Sequence, residues 1–104
     1  MKTELRLADE FGSHLADGPK AAAFRSEKIE PLVDQPGEII LDFSDVRNAN
    51  SSFTNALLSG LIEKHGEGVL EQILFKGCNP TIKVLIESAI DLGIQKFARK
   101  AALH

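Results

Sequence analysis

Cysteine occurs once in the 104 residues, at Cys78, so no disulfide can close within the chain and no thiolate-rich zinc or iron-sulfur site can be built from it. A reducing compartment is the expectation. Basic charge is also scarce. Twelve Lys and Arg against fifteen Asp and Glu leave a formal net charge of −3, and no basic stretch is dense enough to neutralise a phosphate backbone. That argues against a nucleic-acid partner. No stretch approaches the roughly eighteen consecutive apolar residues of a membrane-spanning helix. The opening MKTELRLADE brings acidic residues and alternation where a signal peptide has an apolar run. No membrane contact and a cytoplasmic location are therefore expected.

Recognisable catalytic patterns are missing too. There is no glycine-rich phosphate loop and no Gly-x-Ser-x-Gly elbow, and His14, His65 and His104 are scattered without His-x-x-x-His spacing. On these grounds no catalytic residue, metal or cofactor is expected. What is present is a composition of 43% hydrophobic and 26% charged residues, that of a chain that folds. The length predicts one domain over residues 1–104, and no internal repeat is visible.

Along the chain, residues 2–7 alternate and predict a terminal strand, with Leu5 and Leu7 on one face. A turn-rich segment follows, within which a short antiparallel strand around Phe11 is one option. Gly18-Pro19 opens an alanine-rich helix that Pro31 is expected to end or kink near Glu30. After the turn at Gln35-Pro36-Gly37, residues 38–43 (EIILDF) predict a central strand covered on both faces. A helix is predicted from Ser51 to Gly66, where Phe53, Ala56, Leu57, Gly60 and Leu61 recur at three and four. Residues 70–75 predict another strand. Asn79-Pro80 then caps a last helix with an Ile82, Leu85, Ile86, Ala89, Ile90 stripe, which Gly93 is expected to stop, leaving residues 94–102 as a strand or a fourth helix. Strands alternating with helices predict an α/β fold with a small, mostly parallel sheet and helices packed against it.

In such sheets, sites lie beyond the carboxyl ends of the strands, which selects the loops 42–52 and 76–80. Ser51 and Ser52 stand at a positive helix end suited to a phosphate. Read as structure alone, one of the two serines is the helix N-cap. Asp42 and Asp45 form a weak carboxylate pair, and bracing of the loop by Asp42 through an Asx-type turn is the simpler role. Asn48 and Asn50 are turn residues, one of them suited to a left-handed conformation. Asn79 is a helix cap or a second-loop contact to whatever binds near Ser51, His65 suits a helix C-terminus, and Arg25 is read as a surface cation with a packed stem, the alternative being that it reaches an anion or a partner carboxylate.

The segment LDFSDVRNANSSFTNALLSGL, residues 41–61, resembles the STAS-like proteins of the domain-of-unknown-function type, with an Ile-Leu-Asp-Phe strand and a Ser-Phe helix start. The likeness extends loosely over residues 12–92. These proteins are related to STAS domains, the anti-sigma-factor antagonists, and the resemblance implies a mixed sheet with helices packed on one side. In those regulators an Asp-Ser-Ser/Thr-Gly-Leu motif begins a helix, and a kinase related to histidine-kinase ATPases phosphorylates its first serine. Carried onto this chain, Ser51 matches that serine and Ser52 its neighbour, while Asn50 replaces the aspartate and Phe53 the glycine. Phe53 either faces a partner or turns into the core. The resemblance thus implies a regulatory module that binds a protein, such as an ATPase or kinase of that type, through Asp42, Asp45, Asn48, Asn50, Ser52, Phe53 and Asn79, with Ser51 as the phosphorylation candidate. A small-ligand or enzymatic site built from Asp42, Asp45, Ser51 and Asn79 and a structural self-associating domain are the alternatives, and the oligomeric state is open.

Overall fold

The computed structural model describes residues 1–102; Leu103 and His104 lie outside the described residues. Strand β1 is Lys2–Arg6, followed by a short helix α1 (Leu7–Phe11) and a two-residue strand β2 (His14–Leu15). Leu7 thus leaves the predicted strand and buries its side chain from the helix. The expected strand around Phe11 is also corrected. Phe11 lies in α1, and β2 pairs in parallel with β4 (Asn48–Ala49). The Phe11 ring meets Phe24 and Phe53 edge-on, with centroids 5.4 and 5.0 Å apart, and that packing draws the segment into the core.

Helix α2 runs continuously over residues 18–33 as Gly18–Phe24, a π turn at Arg25–Ile29, and Glu30–Val33. It does not end at Glu30. Pro31 would press its ring on the carbonyl four residues back and supplies no amide of its own. The turn before it widens instead, with the Glu30 N–H bonding to the Arg25 carbonyl, and the helix continues for one more turn. Helix α3, residues 51–65, has the same plan: Ser51–Thr54, a π turn at Asn55–Ser59, and Gly60–His65.

β3 (Glu38–Asp42) lies between β1 and β5 (Ile73–Lys76), and both pairings are parallel. The register aligns Thr3, Ile39 and Ile73, then Leu5, Leu41 and Phe75, on the face that looks into the core. Glu4, Ile40 and Leu74 align on the opposite face, where Lys76 of β5 reaches Glu4 of β1 at 2.9 Å. That ion pair spans the central strand above a half-buried Ile40, and Leu74 is 45% exposed. The expected coverage of β3 on both faces is therefore corrected. An unbroken aliphatic run does not distinguish a sheet covered twice from one covered once.

The strand predicted at residues 70–75 begins later. Residues Glu67–Gln72 form a 3-10 turn, held by the Gln72 amide, which donates to the carbonyls of Leu32 and Gln35 at 2.9 and 2.8 Å. Helix α4 spans Pro80–Ala102 without a stop at Gly93. Gly93 is buried where α4 crosses α3, and a Cβ there would meet the Ile62 Cβ at 2.9 Å and the Ser59 backbone at 3.1 Å. The glycine serves close helix packing, not helix termination. The outcome is a small parallel sheet with helices on one side, the STAS-like architecture, around a core that includes Leu41, Phe43, Phe53, Leu57, Leu61 and Ile82.

Candidate functional site

The two loops beyond β3 and β5 are pressed together and braced. Phe43 donates its N–H to the Lys76 carbonyl at 2.7 Å, and Gly77 sits against Ser44 with φ +71, where a Cβ would come within 2.3 Å of the Ser44 hydroxyl. Asp42 is buried, and its carboxylate accepts the Ser44 N–H at 2.8 Å, the Asx-type brace expected of it. Hydrogen bonds from the Ser44 side chain and backbone hold that carboxyl below its ordinary value and outweigh the opposing effect of burial. Asp45, not Asn48 or Asn50, takes the left-handed conformation, at φ +67, and its exposed carboxylate pairs with Arg6, which also bonds Asp9 at 2.6 Å.

Asn79 is the helix cap expected of it, and it also ties the two loops together. Its side-chain oxygen accepts the Ile82 N–H at 2.8 Å and caps α4, while its amide donates to the carbonyls of Val46 and Arg47 at 3.3 and 3.2 Å. These bonds fasten the start of α4 to the backbone of the loop beyond β3. Asp42, Asp45 and Asn79 are thus all engaged within the protein. No group of three or more His, Cys, Asp or Glu suited to holding a metal occurs among the described residues.

The start of α3 corrects the capping assignment. Asn50 is the N-cap, accepting the Phe53 N–H at 2.9 Å, and its amide donates to the Ala16 carbonyl at 3.1 Å. Ser51 and Ser52 are therefore not the cap. Both are exposed, and neither side-chain hydroxyl enters a hydrogen bond among the described residues. Gly18, the first residue of α2, lies against Ser52; a Cβ there would stand 2.6 Å from its hydroxyl. Asn48 is exposed on β4 and contacts the His14 ring at 3.3 Å. Phe53 turns into the core, fully buried, and forms with Phe11 and Phe24 the floor of a cleft of about 490 Å³ rimmed by Lys20, Glu27 and Lys28.

One cluster was not legible in the sequence. Helices α2 and α3 run side by side, Gly18 by Ser52, Arg25 by Ala56 and Gly60, and Glu30 by Lys64 and His65. In the α3 π turn the Gly60 N–H bonds to Asn55, so the Ala56 carbonyl loses its usual donor. Arg25 supplies one at 2.6 Å, entering the space that Gly60 leaves by having no side chain. Arg25 is thus a clamp between helices, not a surface cation. Its Nε also meets Glu30 at 3.1 Å, and Glu30 receives Lys64 at 2.9 Å and His65 at 3.0 Å. Burial pushes the Glu30 carboxyl up, but the hydrogen bonds from Lys64, His65 and Arg25 outweigh it and bring it down to about 2. The glycine at position 60 was the one available signal, and it does not announce its partner.

Residues 20–83, from the first turn of α2 to the first turn of α4, match the family described as STAS-like domain of unknown function (DUF4325). The chain belongs to this family. The match contains both braced loops, all of α3 and both π turns. No curated protein and no solved structure matches the chain.

Proposed function

We propose that this STAS-like chain, as one domain over its whole length, is a non-catalytic regulatory module that binds another protein through the surface around the start of α3, and that phosphorylation of Ser51 switches that binding. The observation that carries the proposal is the division of labour at the helix start: Asn50 holds the cap, so the exposed Ser51 hydroxyl is free of structural duty. A phosphate there adds roughly −1.5 to −2 charge beside the unpaired amides of the first helical turn. The helix end favours that charge, so modification changes the surface without opposing the fold. Around it, Asn48, Asn50 and Ser52 are exposed, the aromatic-floored cleft adjoins through Phe53, and Asp42, Asp45 and Asn79 hold the supporting loops in place. A partner of the histidine-kinase-like ATPase type fits the resemblance to the anti-sigma-factor antagonists.

The test compares the unmodified chain with its Ser51→Ala and Ser51→Glu variants as immobilised baits, quantifying the bound protein. A partner retained by the first two and lost at least about tenfold by Ser51→Glu supports the switch, a difference of about 1.4 kcal/mol. Equal retention by all three overturns it.

A further inference from the structure

The sheet has two open edges, and they are not alike. β1 carries Lys2, Glu4 and Arg6 among its five residues, charges of the kind that protect an edge from pairing with another chain. β5 reads Ile73-Leu74-Phe75-Lys76, and its single charge is drawn back across the sheet to Glu4. Its outer side pairs with no strand among the described residues, and Leu74 is 45% exposed. Beside this edge a groove of about 470 Å³ separates the strand from α4, lined by Phe75, Cys78, Ile86 and Ile90 with Lys83 and Glu87 among them. Lys83 and Glu87 stand one turn apart on the same face of α4, and neither enters an ion pair among the described residues.

A strand added at β5 would satisfy its outward N–H and C=O groups. Side-chain alternation limits the register, because paired residues must keep to their own faces. A two-fold axis through Leu74 meets that condition for a second copy. It sets Leu74 against Leu74 of the partner subunit on the outer face and Ile73 against Phe75 of the partner subunit on the inner. The same axis turns α4 antiparallel to its copy at the level of the groove. A Lys and a Glu one turn apart are then complementary to themselves, and this charge pattern selects a second copy over an unrelated strand.

We propose that the β5 edge and its groove seat a second copy of this chain, paired antiparallel about Leu74, with Lys83 of each subunit facing Glu87 of the other. The surface is separate from the start of α3, so its failure would leave the Ser51 switch untouched.

Sedimentation velocity of the full chain across a wide concentration range tests this, with circular dichroism to verify folding of each variant. The chain is expected to form dimers, and Leu74→Lys to abolish them. Lys83→Glu and Glu87→Lys alone place like charges across the axis and should each weaken dimerisation about tenfold or more. Mixing these two single variants should restore dimers as mixed pairs, and the double variant Lys83→Glu/Glu87→Lys should restore them alone. A chain that stays monomeric throughout, or a dimer indifferent to these substitutions, overturns the proposal.

Discussion

Arg25 donates a hydrogen bond of 2.6 Å to the backbone carbonyl of Ala56, joining the π turn of one helix to the π turn of its neighbour. The bond replaces a donor that helix α3 lost by widening, and the replacement reaches its place over Gly60. An irregularity in one helix is thereby satisfied by a side chain from an irregularity in the other.

This coupling is measurable by a double-mutant cycle. A Cβ at position 60 would fall 1.8 Å from the Arg25 guanidinium, so Gly60→Ala should displace Arg25 and cost about 1–3 kcal/mol in urea unfolding, as should Arg25→Ala. In the Arg25→Ala background, Gly60→Ala should be neutral or stabilising by up to about 1 kcal/mol, because alanine is the better helix former. Additive losses would mean that the two residues act separately.

Acid should weaken the same joint. Glu30 has its carboxyl at about 2 in the folded chain against an ordinary 4.5. A folded value below the unfolded one gives stability that is fully present above about pH 4.5 and lost as pH falls through about 2. Asp42, also lowered, acts with the same sign. The urea midpoint should therefore fall on acidification across this window, and the fall should be smaller in Glu30→Gln and in Asp42→Asn. An unchanged slope in Glu30→Gln would show that its ion cluster contributes nothing.

Capping supplies a third expectation. Asn50→Ala and Asn79→Ala should each cost about 1–2 kcal/mol, the former also freeing the Ala16 carbonyl and the latter those of Val46 and Arg47. Ser51→Ala should stay within about 0.5 kcal/mol, as an exposed position with no side-chain bond does. Thermal melts of the three variants make the comparison.

Gly93→Ala carries the fourth. Helix propensity alone favours alanine by about 1 kcal/mol. The added methyl would meet Ser59 backbone at 3.1 Å and Ile62 Cβ at 2.9 Å, and backbone cannot move aside as a flexible side chain can. Overpacking should win, with a net loss of about 1–3 kcal/mol and a lowered melting temperature.

The fold was legible where a pattern has one physical meaning. Alternating strands and helices implied a parallel sheet, Asn79-Pro80 marked the start of α4, and the segment 41–61 identified the family by resemblance. It was illegible where one residue type serves two ends. Gly93 has the chemistry of a helix terminator and of a helix crossing, and only the neighbouring Ser59 and Ile62 decide between them. Ile39-Ile40-Leu41 reads as buried twice, although Ile40 lies beneath the Glu4–Lys76 pair on an open face. At the candidate site, Asp42 is legible as a brace and Asn79 as a cap, whereas the cap of α3 is Asn50 and not one of the serines. Arg25 was beyond reach, because its partner is a carbonyl freed by a π turn, and no side chain announces such a turn.

The most direct measurement is the intact mass of the chain isolated from its native cell, with and without phosphatase, followed by localisation of any modification. A phosphatase-sensitive gain of one phosphate at Ser51 is the predicted result. Unmodified protein under several growth conditions, or phosphate confined to another residue, would contradict the account.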